Sequence, residues 1–194
     1  MTARRLLPAA VGIVMLALVA WGVTSLLERM TGRPPEATPA ATSPINSEAA
    51  HIAVTLFYVA PGGDALVPVR REVPLAEGVV AQGRQIIASQ LQPAPPPYLS
   101  AIPAATTLRA FYVTESGDAF VDLGGISSAH PGGSLAEMLT VQALVNAVAA
   151  NLPAVQRVQI LVDGKEMDTL AGHVDIRRPL ARDTSLVREA EASP

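Results

Sequence analysis

The feature that most constrains this chain is an uncharged, largely apolar run from Leu6 to Leu27. A helix needs about 20 such residues to cross the hydrocarbon core of a bilayer. Arg4 and Arg5 precede the run and Trp21 lies near its far end, a pattern that places the N-terminus in the cytoplasm. The run therefore predicts a single membrane span, with the rest of the chain outside the cytoplasmic membrane.

A cleaved signal peptide is the alternative for this segment. Ala20 and Gly22 supply small residues of the kind that a signal peptidase recognises. The apolar run is longer than the ~7–15 residues of a typical signal-peptide core, which favours the anchor. Export with loss of about two kilodaltons would identify a signal peptide instead.

Composition excludes several classes of function. The 194 residues include no Cys, so disulfides, thiolate zinc sites, cysteine nucleophiles and a lipid-modified N-terminal Cys are ruled out. The formal charge is −3, and the segment beyond residue 30 carries 11 basic and 16 acidic side chains. Only 4% of the residues are aromatic. An acidic chain with few aromatic rings is not expected to bind nucleic acid.

The chain divides by composition into an anchor, a spacer and one modest domain. Residues 31–50 mix Pro, Ala, Thr, Ser and Glu without apolar periodicity, as in an extended tether. The predicted parts are a cytoplasmic tail at 1–5, a transmembrane helix at 6–27, a linker at 28–50, a folded domain at 51–181 and a flexible C-terminal tail at 182–194.

Periodicity within the domain predicts alternating strands and helices. Apolar alternation from Ile52 predicts a first strand, and LVPVRREVPL after it predicts either a short hairpin partner or an extended arm. Further segments follow in order: a helix over 77–91, a hairpin over 106–113 and 119–123, a helix after Ser134, a strand over 158–162 with a tight turn, and a last short extended piece. The expected fold is α/β (α+β), order β-α-β-β-α-β, with two helices on one face of a small mixed sheet.

The second helix has the clearest pattern. Its apolar residues fall on one stripe, namely Met138, Val141, Leu144, Val145, Val148 and Leu152. Ser134 followed by Glu137 matches a capping box, in which the hydroxyl and the carboxylate satisfy amides of the first turn. We therefore expect Glu137 to cap this helix.

Side chains capable of catalysis or metal binding do not form a recognisable motif. His51, His130 and His173 are far apart and match no metal-ligand spacing, although His173 and Asp175 could share one face of a strand. The HPGGS segment at 130–134 precedes a helix but lacks the Lys of a phosphate-binding loop. It is better explained as a turn. No catalytic, cofactor-binding or metal-binding residue is predicted.

Hydrolytic chemistry would need a geometry that the sequence does not indicate. Candidate sets are a triad from Ser127, Ser128, His130 and Asp122, and a carboxylate pair from Glu115, Asp118 and Asp122. No G-x-S-x-G elbow presents a serine, and Asp118 suits a tight turn. Arg177 and Arg178 could contact a partner or lipid phosphates, but a solvated surface is the simpler interpretation.

The order of segments over about residues 52–180 resembles the GerMN domain, the sporulation and spore germination domain. The segments are VTLFYV, VVAQGRQIIASQL, IPAATTLRAFYV, FVDL, SLAEMLTVQALVNAV, VQILVDGK and GHVDIRRPL. Positions that match its pattern are Glu137, Asp163, Gly164, Gly172 and Asp175. The resemblance implies a small α/β domain similar to ring-building motifs, with no catalytic residues. It departs from GerM in having one domain where GerM has two, and no lipobox cysteine.

These observations support a membrane-anchored, extracytoplasmic and non-enzymatic interaction or assembly module in the cell envelope. Expected partners are the membrane, through the N-terminal helix, and envelope proteins or further copies of the chain, with no nucleic acid and no cofactor. A module that binds peptidoglycan or a small ligand is the alternative, with HPGGS and Arg177–Arg178 near its mouth. A hydrolase is the third hypothesis, which the lack of an activated nucleophile disfavours.

Overall fold

The structure is a computed structural model that describes residues 50–126 and 133–189. The predicted membrane span and nearly all of the predicted linker lie outside these ranges. Within them, no helix combines the length and the apolar character that a membrane crossing requires. The elements in order are β1 His51–Val59, β2 Leu66–Pro74, α1 Val79–Gln90, β3 Thr107–Val113, β4 Asp118–Gly124, α2 Ser134–Asn151, β5 Arg157–Val162, β6 Lys165–Glu166 and β7 Leu180–Ala181.

The described residues form a mixed α/β fold with the two predicted helices, but their strands form two sheets rather than one. The first sheet is the antiparallel hairpin β1–β2, paired along its full length from His51 opposite Pro74 to Val59 opposite Leu66. The segment predicted as a short partner or arm is thus a complete strand. In the second sheet β4 pairs with β3 antiparallel and with β5 parallel, and β6 and β7 both pair with β5.

Along most of the other edge of β1, side-chain amides take the place of a second strand among the described residues. Asn151, the last residue of α2, bonds the N–H and the carbonyl of Thr55 at 2.8 and 2.7 Å. Gln90, the last residue of α1, bonds the N–H and the carbonyl of Phe57 at 2.9 and 2.7 Å. Each carboxamide occupies the position that a neighbouring peptide group would take in a sheet. Only at Val59 does a backbone partner within the described residues, Leu99, complete this edge.

Helix α1 packs closely on β3 because one of its residues has no side chain. A Cβ placed on Gly83 would lie 2.2 Å from a ring carbon of Phe111, a residue that is 1% exposed. Glycine usually weakens a helix, since it loses more backbone entropy than alanine. Here Gly83 permits the contact that seats the helix on the sheet.

Helix α2 is buried on nearly all sides, unlike the one-sided helix that the apolar stripe predicts. Leu144, Val145 and Val148 of that stripe are fully buried, whereas Met138 is 37% exposed. Polar positions between them are covered as well, and Thr140, Gln142 and Asn146 belong to the interior. The helix ends at Asn151 because Pro153 favours an extended conformation at the preceding residue, Leu152, whose φ is −119° and ψ is 93°.

The predicted capping box at the start of α2 is wrong. The N-cap residue is Gly133, with φ 89°, and no side chain of the described residues caps the helix. The Glu137 N–H bonds the Gly133 carbonyl as part of the helix. The Glu137 carboxylate accepts its bonds from a distant loop instead, so the Ser-x-x-Glu spacing was misleading here.

The described part of the predicted C-terminal tail is attached to the body of the domain. Asn146, fully buried, bonds the carbonyl and the N–H of Asp183 at 2.6 and 3.1 Å. The Leu66 N–H bonds the Leu186 carbonyl at 2.7 Å, and the Leu66 carbonyl accepts from the Arg188 N–H at 2.8 Å. Residues 182–189 therefore differ from the flexible tail that we expected, and 190–194 lie outside the described residues.

Candidate functional site

Glu137 is the most deeply buried acidic group in the described structure, with no exposed surface. One carboxylate oxygen accepts the N–H groups of Leu170 and Ala171 at 2.8 and 3.0 Å. The other accepts the N–H of His173 at 2.8 Å and lies 3.1 Å from the His173 Nδ1. The carboxylate thus fixes the loop between β6 and β7 onto the first turn of α2.

The surroundings of Glu137 suit a structural anion better than a catalytic acid. Burial raises the pKa of its carboxyl, but backbone N–H groups from Ala171, His173, Val174 and Leu170 outweigh burial and leave the pKa below its ordinary value. The carboxylate lies in the first turn of α2, where the helix dipole favours negative charge. A general acid needs the opposite shift, toward neutral pH.

The predicted relation between His173 and Asp175 does not form a site. His173 faces Glu137, whereas both oxygens of Asp175 bond Arg177, at 3.0 and 2.6 Å. Hydrogen bonds from the Arg177 side chain and backbone hold the pKa of Asp175 well below its usual range. The Arg177 side chain is therefore paired with Asp175, and the neighbouring Arg178 is exposed. Among the described residues, no group of three or more His, Asp or Glu side chains could hold a metal ion.

The acidic residues of the β3–β4 hairpin are also held in separate pairs. Asp118 forms a bidentate contact with Arg157 at 2.7 and 2.9 Å, and the Arg157 guanidinium lowers the pKa of Asp118. Asp122 accepts from the Gly164 N–H at 2.8 Å and from the Arg109 Nε at 3.2 Å.

The spacing of these carboxylates does not suit glycosidase chemistry. The Cα atoms of Asp118 and Asp122 are about 13 Å apart along β4, from the rise per strand residue, and their carboxylates bond different arginines, Arg157 and Arg109. Glycosidase carboxylates lie about 5–9.5 Å apart. Glu115 is exposed in the turn. The three carboxylates predicted as a possible pair therefore do not converge on a cleft.

The remaining sequence candidates are not assembled in the described structure. His51 is exposed at the start of β1. Ser127, Ser128 and His130 lie outside the described residues, as does most of the HPGGS segment. Of the candidate triad only Asp122 lies within the described residues, and its carboxylate already bonds Gly164 and Arg109.

An open groove of about 670 Å³ lies between the end of α1, the proline-rich loop and the start of β3. Its lining is mostly apolar and includes Leu91, Tyr98, Ile102 and Leu108. Thr106 also lines it, is 6% exposed, and has a buried hydroxyl without a hydrogen-bond partner in the described structure. A second groove of about 520 Å³ is lined by residues that include Leu99, Gly133 and Leu135.

Sequence reasoning missed the buried amides, which position more of this structure than the acidic residues do. Two further amides act in the same way as Gln90, Asn146 and Asn151. Gln82 bonds the Ala76 N–H and the Pro74 carbonyl, and Gln159 bonds the Ile176 carbonyl. A Gln or Asn on the inward side of an apolar helix is a signal that could have identified them, because a buried amide requires partners. Their partners, distant in sequence, could not be read from spacing.

Comparison with known proteins agrees with this architecture. The family model Germane, described as sporulation and spore germination, matches residues 55–168. The first GerMN domain of the sporulation protein GerM from Bacillus subtilis superposes with a TM-score of 0.53 at 17% identity, covering 68% of this chain and 98% of that chain. The tandem GerMN domains of the same protein give a TM-score of 0.54 at 16% identity, covering 68% of this chain and 46% of theirs.

One further solved structure and the curated proteins were also compared with this chain. A protein from Clostridium perfringens matches with a TM-score of 0.49 at 20% identity, covering 69% of this chain and 89% of that chain. The curated proteins give no significant match. At these identities the solved structures show the fold alone, whereas the family model spans more than half of the chain. The segment order, the mixed α/β fold and the family match together show that this chain is a GerMN-domain protein of the Germane family.

Proposed function

We propose that the protein is a non-catalytic interaction or assembly module, held outside the cytoplasmic membrane by its N-terminal helix. The observation that carries this proposal is the use of the polar side chains within the described domain. Glu137, Asp118, Asp122 and Asp175 are each committed to backbone N–H groups or to an arginine. Such contacts build and hold a surface, and membership of a sporulation and spore germination family supports that role.

The membrane placement rests on the Leu6–Leu27 run and the arginines before it. Because the chain has no Cys, a single introduced cysteine reports where the domain lies. Lys165→Cys at the exposed β6 position in the full chain is expected to react with a membrane-impermeant maleimide in intact cells. Thr2→Cys in the predicted cytoplasmic tail is the matched control and should react only after lysis. Equal protection of both positions in intact cells would contradict the placement.

The mass of the membrane-bound protein separates an anchor from a signal peptide. An intact N-terminus predicts the full 20.1 kDa chain in the membrane fraction. A product shorter by about two kilodaltons and released by mild washing would replace the anchor with a cleaved leader.

The interaction itself is tested by cross-linking the full chain in intact cells. A photoreactive amino acid at exposed surface positions, such as Tyr112 and Arg178, should yield defined adducts with envelope proteins or with further copies. The control places the same residue at buried Leu144, where neighbouring side chains of the domain surround it. Recovery of only uncross-linked monomer from every surface position would count against an assembly role.

A peptidoglycan-binding or small-ligand module is the second candidate, favoured by the groove lined by Thr106. A groove of about 670 Å³ with a mostly apolar lining and a few polar groups is typical of small-ligand sites. Co-sedimentation of the protein with purified peptidoglycan tests this candidate, with Leu91→Arg in the groove as the disrupting variant and Gln156→Arg, exposed and outside the groove, as the control. Equal sedimentation of both variants with the unsubstituted protein would exclude this groove as the site.

A further inference from the structure

Within the described residues, the outer edge of β2 has backbone groups without hydrogen-bond partners at its centre. Leu66 directs its N–H and its carbonyl away from β1, toward the C-terminal segment, at 2.7 and 2.8 Å. Because bonding directions alternate along a strand, Arg70 and Glu72 direct theirs away from β1 as well. Thr55, opposite Arg70, agrees with this pattern because it bonds Asn151 rather than β2. Both Arg70 and Glu72 are exposed.

Two prolines bracket this stretch. Pro68 has no N–H to offer, and the Pro74 carbonyl accepts from Gln82 at 3.3 Å. Arg70 and Glu72 lie between these prolines. Their outward backbone groups have no hydrogen-bond partner among residues 50–126 and 133–189. The available edge is therefore short, and its ends are defined.

The charges of Arg70 and Glu72, which share one face of β2, are complementary to themselves. Arg71 lies on the opposite face, where it meets its own counterpart but is directed toward Tyr58, with its Nη1 3.5 Å from the Tyr58 hydroxyl. If two copies of β2 pair antiparallel about a two-fold axis at Arg71, Arg70 of one copy lies opposite Glu72 of the other, and Glu72 lies opposite Arg70. In this register the outward backbone groups of Arg70 and Glu72 can form about four inter-strand hydrogen bonds. Directly opposed charges of opposite sign stabilise a strand pair.

We propose that the partner of this module is a second copy of the same chain, bound through the β2 edge with Arg71 on the two-fold axis. This inference rests on the proposed function. The arrangement is isologous, so each surface is satisfied by the same surface of the other copy. The contact is small and weak in free solution. Anchoring both copies in one membrane raises their effective concentration and makes a weak contact sufficient.

Prolines and charges on an edge strand also serve to prevent edge-to-edge pairing. The two roles make opposite predictions for charge exchange. A protecting charge repels any strand that approaches, so the sign pattern on the second copy should not matter. In the pairing proposed here, the sign pattern decides whether two copies associate.

The test uses full chains with two different affinity tags, co-expressed in cells and recovered through one tag from mild detergent. Arg70→Glu alone leaves both edge charges acidic, and Glu72→Arg alone leaves both basic, so each variant should fail to pair with itself. We expect about a tenfold drop in recovered partner, since both opposite-charge contacts become like-charge contacts. Co-expression of the two single variants, and the double variant Arg70→Glu/Glu72→Arg with itself, should restore recovery.

Arg84→Glu is the matched control, because it makes the same charge change at an exposed position of α1. It should leave recovery unchanged. Thermal melts of each variant should match the unsubstituted chain, since neither Arg70 nor Glu72 is buried. Equal recovery from all combinations, or loss of recovery in the mixed pair, would overturn the proposal.

The register has a separate covalent test. Arg71 faces its counterpart in a pair without direct backbone bonds, where the Cα atoms lie about 4.5 Å apart, within the range that a disulfide spans. The full chain with Arg71→Cys should form a disulfide-linked dimer in cells under mild oxidation, whereas Lys165→Cys should not. Absence of the Arg71→Cys dimer would overturn the register. Should envelope adducts persist in the surface cross-linking above while both tests on β2 fail, the self-pairing is wrong and the interaction module stands.

Discussion

Gly83 shows how one residue sets the distance between a helix and a sheet. Gly83→Ala would place a methyl group 2.2 Å from the buried Phe111 ring, which has little freedom to move. Overpacking of this kind costs about 1–3 kcal/mol, and it exceeds the helix propensity that alanine gains. We expect a lower free energy of unfolding in urea titration. Adding Phe111→Leu should recover part of the loss, and a Gly83→Ala variant as stable as the original would contradict the close contact.

Glu137 makes the domain sensitive to acid. Its pKa is lower in the folded chain than the ordinary value of 4.5, so the unfolded chain takes up a proton first as the pH falls. The stabilisation from Glu137 is therefore complete above about pH 4.5 and is lost as the pH falls through the folded pKa. The pKa values of Asp118 and Asp175 shift in the same direction, but their arginine partners are more than half exposed, so solvent screens both contributions.

The variant Glu137→Gln separates the pH-dependent stabilisation by Glu137 from that of the other acidic residues. At pH 7 the amide loses charge-assisted bonds and turns an NH₂ group toward backbone N–H donors, a cost of about 3 kcal/mol. As the pH falls below about 4.5, the variant should lose less stability than the unsubstituted protein, since the titrating carboxylate is gone. Urea titrations at several pH values give both quantities. Parallel pH curves for the two proteins would contradict the role given to Glu137.

At the scale of elements, the edge of β1 depends on amides from the ends of both helices. Gln90→Leu would leave the buried N–H and carbonyl of Phe57 without partners, at a cost of about 2–5 kcal/mol. Asn151→Leu should cost less, because its bonds to Thr55 are only partly buried. Gln92→Leu, exposed two residues beyond Gln90, is the control and should be nearly neutral. Melting temperatures in that order support the account; equal effects at positions 90 and 92 would refute it.

Local patterns predicted the elements better than their connections. Alternation located β1, and the helix predicted over 77–91 is observed at Val79–Gln90. The Asp163–Gly164 turn was also evident, and both of its residues have positive φ, 51° and 79°. The two-sheet arrangement was not evident from the sequence, because Gln90 and Asn151 bond residues of β1 that are 33 and 96 positions away. The capping box failed for the same reason, since the Glu137 carboxylate bonds a loop 33 and 34 residues away.

At the scale of the whole molecule, the body of the domain should fold without its N-terminal segment. Residues 47–194 form one compact unit, and the core lies within the described part of it. A fragment that starts at residue 48 should therefore unfold cooperatively in a thermal melt followed by circular dichroism. Val145→Asp places an unpaired charge at a fully buried position and should abolish that transition. A Val145→Asp fragment with an unchanged melting temperature would contradict the position of α2 in the core.

The central claim is that this GerMN-domain protein acts through contacts that its surface makes outside the membrane. The most direct measurement is photo-cross-linking of the full chain in intact cells, with the photoreactive group at exposed positions and the products identified by mass spectrometry. We expect discrete adducts with copies of the chain or with envelope proteins, and none from buried Leu144. Monomer alone at every surface position, in cells where the protein is membrane-bound, would contradict it.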